Sequence, residues 1–199
     1  MIILGLTGSI AMGKSATANI FSSYGVPVFD ADLCVHKLMG FNGRLVPLIA
    51  KEFPSTLEKI KNYRFINRAK LGNIVFNNKK LKRNLENIIH PQVGRERKKW
   101  TEQAIRRRDK IICYDVPLLF ETKGEQAVDE VIVVSAPYFI QRQRALKRKN
   151  MDLKKLNNIL KTQMPDKDKR KRANFVVNTG NGHRFSRNQV KNIIEKLSK

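Results

Sequence analysis

Gly8 and Gly13 enclose four residues and are followed at once by Lys14 and Ser15, in the run G-S-I-A-M-G-K-S. This is the G-x-x-x-x-G-K-[ST] spacing of a loop that wraps phosphate groups. Glycines let backbone N–H groups turn inward around phosphate oxygens, where a Cβ would obstruct them. The helix expected behind the loop adds the positive end of its dipole. Lys14 brings a mobile point charge to the β- and γ-phosphates. Ser15 offers a hydroxyl to Mg²⁺. The expected nucleotide contacts are therefore Gly8, Ala11, Met12 and Gly13 in the loop, with Lys14, Ser15 and Ala16 behind them.

A nucleotide site also needs a carboxylate near the metal. Asp115 ends the apolar run I-I-C-Y-D, the place of a Walker-B aspartate. Taken alone it also reads as a strand-end turn residue. Asp30 and Asp32, in F-D-A-D, close another short apolar run. One of them can orient or deprotonate an attacking hydroxyl. Asp30 also reads as an N-cap for the helix that follows.

These residues need a sheet whose strand ends meet. Met1–Thr7, Val26–Phe29, Lys110–Asp115, Glu130–Ser135 and Asn174–Asn178 read as short buried strands, the second at a sheet edge because of Pro27. Helices are expected over Lys14–Tyr24, Ala31–Met39, Asn67–Phe76, Asn78–Lys99, Pro137–Lys149, Asp152–Met164 and Ser186–Leu197. Asn67, Asn78 and Ser186 stand at expected N-caps, and Pro91 is expected to kink or split its helix. Residues 42–68 read as mixed helices and loops. Strands alternating with helices give an α/β fold with a parallel sheet covered on both faces.

The chain has 199 residues, 40 Lys and Arg against 17 Asp and Glu, and a net charge of +23. Such a field attracts polyanions. It is uneven, with 13 Lys and Arg against 3 Asp between Phe139 and Arg172. The run K-D-K-R-K-R at 167–172 reads as a solvated segment, or as a nucleic-acid patch. No apolar run approaches the roughly 20 residues of a membrane helix, and the apolar start does not read as a secretory signal. Cys34 and Cys113 are isolated, which points to a reducing compartment. The histidines are scattered, and His90 taken alone reads as a structural residue.

With these residues placed, the chain resembles the dephospho-CoA kinase family, nearly end to end. The resemblance rests on G-L-T-G-S-I-A-M-G-K-S at 5–15, F-D-A-D at 29–32, I-I-H-P-Q-V at 88–93 and D-V-P-L-L-F-E at 115–121. It continues through Gln141, Arg144 and Arg148, T-Q-M at 162–164, and A-N-F-V-V-N-T-G at 173–180. It implies a three-layer P-loop kinase fold with a five-stranded parallel sheet, a helical substrate-binding insertion and a lid. The implied core is about residues 1–32, 105–138 and 170–199, with the insertion at about 33–104 and the lid at about 139–169. It implies transfer of the γ-phosphoryl of ATP, with Mg²⁺, to the ribose 3′-hydroxyl of dephospho-CoA, the last step of coenzyme A synthesis.

Carried over residue by residue, Asp32 matches the catalytic base and Lys14 the catalytic cation. Arg144 and Arg148 match lid positions that approach ATP, and Asn178 borders the adenine. Asp32, His90, Asp115, Pro117, Leu118 and Glu121 match positions on the acceptor side. Ser15 and Asp115 match the metal side, Asp115 directly or through water. The family usually reads G-G-I-G-S-G-K-S in the loop, so Ser9, Ala11 and Met12 are departures. Ala11 is expected to be tolerated through a negative φ, and Met12 is expected to narrow the entrance. A-N-F replaces the more usual A-D-x, losing a carboxylate near the adenine. A cytoplasmic protein is implied, without a membrane or nucleic-acid partner and with its oligomeric state open. Two alternatives remain: another P-loop nucleoside, nucleotide or shikimate-type kinase, and a basic nucleic-acid-binding ATPase.

Overall fold

The computed structural model describes residues 1–76 and 78–198. Asn77 and Lys199, which the boundaries above include, lie outside the described residues. The strands are β1 (Ile2–Thr7), β2 (Val28–Asp30), β3 (Leu57–Ile60), β4 (Tyr63–Ile66), β5 (Ile111–Asp115), β6 (Glu130–Ser135) and β7 (Phe175–Asn178). The helices are α1 (Lys14–Ser23), α2 (Ala31–Met39), α3 (Val46–Glu52), α4 (Arg68–Phe76), α5 (Lys79–Arg106), α6 (Tyr138–Leu146), α7 (Leu153–Thr162), α8 (Asp166–Lys171) and α9 (His183–Leu197). The chain divides into two compact units, residues 1–29 with 104–199, and residues 30–103.

The first unit is built on a five-stranded sheet in the order β2-β5-β1-β6-β7. β1 pairs in parallel with β5, placing Leu6 opposite Asp115, and with β6, placing Thr7 opposite Val133. β6 and β7 are also parallel. β2 is an edge strand, as Pro27 requires, and the Pro27 carbonyl accepts the Cys113 N–H. Leu4, Leu6, Ile132, Val134 and Val177 are fully buried and form one cluster with Ile20 and Phe21 of α1 and Val190 and Ile193 of α9. β5 and β6 are buried at successive positions, and therefore on both faces, so they read as continuous apolar runs rather than alternating ones.

The second unit has its own apolar cluster, drawn from α2, α3, β4, α4 and α5 and including Leu45, Ile49, Ile66 and Leu71. Asp30 caps α2, its Oδ1 accepting the Leu33 N–H at 2.8 Å. Asn67 and Asn78 cap α4 and α5, each accepting two N–H groups of the first turn.

Several expectations are corrected. Residues 57–66 form an antiparallel hairpin, with Leu57 opposite Ile66 and Ile60 opposite Tyr63. Its two-residue turn opens with Lys61 at φ 52, where a glycine or asparagine would have advertised it. α5 runs through Pro91 without splitting. Asn87, whose carbonyl Pro91 leaves without a partner, is exposed, so that carbonyl is available to water. α6 stops at Leu146, and α9 starts at His183 with Gly182 as its N-cap rather than Ser186. The basic run at 167–172 is not wholly solvated: most of it forms α8, and Lys169 is fully buried.

Candidate active site

The loop between β1 and α1 depends on close backbone approach. A Cβ on Gly8 would lie 2.3 Å from Val134 Cγ2 and 2.8 Å from the Val134 carbonyl oxygen, inside the central sheet. Gly13 has φ 92, and a Cβ there would press on Thr179. Ala11 has φ 61, in the left-handed region, which corrects the expectation of a negative φ. Its methyl is buried against Ala145 and Leu156 of α6 and α7. Met12 does not narrow the entrance. It is 3% exposed, packs in the main core, and its Sδ accepts the Ala136 N–H at 3.1 Å.

α1 begins without a side-chain cap and without an acidic residue in its first turn. Its amino end therefore keeps N–H groups and a positive dipole for an anion. Ser15 and Ala16 are exposed there. The Lys14 ammonium pairs with the carboxylate of Asp115, which is 2% exposed at the end of β5. Two residues earlier, burial and the Asp115 charge push the Cys113 thiol far up, so it is no nucleophile. Thr7 Oγ1 donates to the Pro117 carbonyl at 3.0 Å, tying the loop's base to the segment after β5.

A cavity of about 340 Å³ adjoins α1 and is lined by Gly13, Ala16, Thr17, Arg144, Thr179 and His183, among others. Arg144 closes one side as a fork, donating to Thr179 Oγ1 at 2.9 Å and to the Thr179 carbonyl at 2.7 Å. The Thr179 hydroxyl donates in turn to the Met12 carbonyl at 2.7 Å. Asn178 is held by its loop: its N–H donates to Gln189, and its Oδ1 accepts the Gly180 N–H. Arg148 is exposed beyond the end of α6.

Glu121 is engaged within the protein. It accepts the Met164 N–H at 2.8 Å and pairs at 2.9 Å with the buried Lys169. Burial raises its carboxyl pKa, but the bonds from Lys169 and Met164 outweigh that, and the net shift is downward. Pro117 and Leu118 are half-buried beside it in sequence.

The structure thus brings Gly8, Ala11, Met12, Gly13, Lys14, Ser15, Ala16, Asp115, Arg144 and Asn178 into one unit with the cavity. Asp32 and His90 belong to the second unit, where Asp32 is exposed in the first turn of α2 and His90 is exposed on α5. Individual roles for Thr179, His183 and Gln163 were missed from sequence. The N-T-G-N-G-H run between β7 and α9 was the available signal for the first two. Among the described residues, no group of three His, Cys, Asp or Glu is placed to hold a metal ion, and no helix is long and apolar enough to cross a membrane.

The family model for dephospho-CoA kinase matches residues 2–184. The chain belongs to the dephospho-CoA kinase family. A dephospho-CoA kinase of Bartonella quintana is 45% identical over 199 residues, covering all of both chains. A dephospho-CoA kinase structure from Campylobacter jejuni matches with TM-score 0.65 at 28% identity, over 98% of this chain and 96% of that one. A Thermus thermophilus crystal structure matches with TM-score 0.83 at 27% identity, over 98% and 97%. As a dephospho-CoA kinase family member the chain is a transferase of the P-loop kinase class. The nucleic-acid-binding ATPase and the shikimate-type kinase readings are not favoured.

Proposed function

We propose that this chain transfers the γ-phosphoryl group of ATP to the ribose 3′-hydroxyl of dephospho-CoA, completing coenzyme A. The observation that carries the reading is the match to dephospho-CoA kinases over the full chain, joined to a phosphate loop whose helix begins uncapped. The loop N–H groups and the α1 amino end hold the phosphates, and Lys14 leaves Asp115 to neutralise the developing charge. Arg144 and Arg148 approach the ATP phosphates, while Thr179 and Asn178 border the nucleotide.

Ser15 and Asp115 offer a hydroxyl and a carboxylate, the hard oxygen donors that Mg²⁺ takes, and would hold it directly or through water. The ion when bound supplies charge neutralisation at the β- and γ-phosphate oxygens. Asp32 aligns the 3′-hydroxyl and accepts its proton. Its exposure on α2 and its place two residues after β2 support that role. His90, Pro117 and Leu118 line the acceptor side. Glu121 supports that side through its bonds to Met164 and Lys169.

ADP release by a coupled assay, with dephospho-CoA, shikimate, nucleoside monophosphates and nucleic acid added in turn, tests the reading. Release dependent on dephospho-CoA is expected. Release stimulated by nucleic acid, or equal without any acceptor, would overturn it. Lys14→Ala is expected to lower kcat by about 10²–10³-fold, the scale of one electrostatic stabiliser.

A further inference from the structure

The loop's peptide groups are held from outside by two glutamines. Gln141 of α6, 3% exposed, donates through Nε2 to the Ile10 carbonyl at 2.9 Å. Gln163, at the end of α7, accepts the Ile10 N–H through Oε1 at 3.0 Å. Thr179 holds the Met12 carbonyl. The Met12 N–H is spent within the loop, on the Ser9 carbonyl at 3.2 Å.

A trans peptide is planar, so its C=O and its N–H point in opposite directions. With the Ile10 carbonyl turned to α6, the Ala11 N–H must point away from α6. With the Met12 carbonyl turned to Thr179, the Gly13 N–H must point away from Thr179. Neither of these N–H groups is taken by a protein acceptor among the described residues. The N–H groups of Ile10 and Met12, by contrast, are already engaged.

We infer that Gln141, with Gln163, is a positioning residue that sets the Ile10–Ala11 peptide so that the Ala11 N–H joins that of Gly13 in binding phosphate. Gln141 and Arg144 lie three residues apart, on one face of α6. The helix that delivers Arg144 therefore also shapes the loop. The apolar contact of Ala11 with Ala145 and Leu156 holds the same two helices against the loop. A loop peptide turned the other way would present a carbonyl to the phosphates and repel them. The inference rests on the reading that this loop binds ATP.

The test compares ADP and adenosine binding, by calorimetry and ligand-observed NMR, in wild type, Gln141→Met, Gln141→Glu and Gln163→Ala. Adenosine has no phosphates, so it reports the nucleoside contacts and none of the phosphate contacts. Loss of one or two charge-assisted bonds weakens ADP by about 10–100-fold in Gln141→Met and Gln141→Glu. Gln163→Ala weakens it by about 3–10-fold, the worth of one neutral hydrogen bond. Adenosine changes by less than about twofold in each, since its contacts are untouched.

Variants that bind ADP as wild type does, or lose both ligands in equal proportion, overturn the inference. Gln163 is half-buried at a helix end, so its truncation leaves a folded protein, and that variant decides if neither Gln141 variant folds. Failure of wild type itself to bind ADP would instead overturn the nucleotide reading.

Discussion

Replacing Ala11 with glycine sets two local energies against each other. Ala11 holds φ 61, a conformation that costs an L-residue about 1–2 kcal/mol and a glycine almost nothing. Glycine therefore relieves strain of that size. Against this, the Ala11 methyl is 6% exposed and packed on Ala145 and Leu156. Losing one buried carbon costs about 0.8 kcal/mol. The extra freedom of glycine in the unfolded chain costs roughly 0.5–1 kcal/mol more. The terms nearly cancel, and Ala11→Gly is expected to lie within about 1 kcal/mol of wild type. For a chain of this length, that is a Tm change of no more than about 2–4 °C, read by thermal melts without nucleotide. The Ala11 N–H survives the substitution, so kcat should stay within about threefold. Ala11→Val, which places a β-branched side chain at positive φ, should cost more than about 2 kcal/mol. A Tm rise beyond about 4 °C in Ala11→Gly would show that the methyl contributes nothing to packing. A fall of the same size would show that the residue is not strained.

Asp32→Asn keeps one acceptor oxygen but cannot take the proton, and is expected to lower kcat by about 10²–10⁴-fold with much smaller changes in KM. Asp30→Ala removes the cap on the Leu33 N–H and should instead cost about 1 kcal/mol of stability, read by urea unfolding. A larger kcat loss in folded Asp30→Ala than in Asp32→Asn would reverse the two roles. Arg144→Ala should raise the KM for ATP by about tenfold and leave that for dephospho-CoA within about twofold, which steady-state kinetics with each substrate varied would check. Glu121 has a folded-state pKa below its unfolded value, so its contribution to stability is present above the ordinary carboxylate range and lost as pH falls through the folded pKa. Glu121→Gln should therefore flatten the acid limb of a Tm-against-pH curve below about pH 4.5, and an unchanged acid limb would refute the pairing.

The sequence alone determined the five sheet strands, the phosphate loop and the caps at Asp30, Asn67 and Asn78. Each depends on a local signal: a short apolar run, a fixed glycine spacing, or a side chain that bonds its own next turn. It also made the family resemblance legible, because D-V-P-L-L-F-E and the loop stand in a fixed order. The hairpin at 57–66 was hidden because Lys61 occupies the positive-φ turn position without a residue type that signals it. Lys169 read as solvated because a lysine is rarely buried, and its pairing with Glu121, 48 positions earlier, makes its burial tolerable. Met12 read as narrowing the loop's entrance and Ala11 as a residue at negative φ. Tertiary structure turned one into the core and packed the other on α6 and α7. The same holds for Gln141, Gln163 and Thr179, which grip the loop from residues 131, 153 and 167 positions away. Such contacts have no local pattern, because the orientation of a peptide group is decided by whichever donor or acceptor folding brings against it.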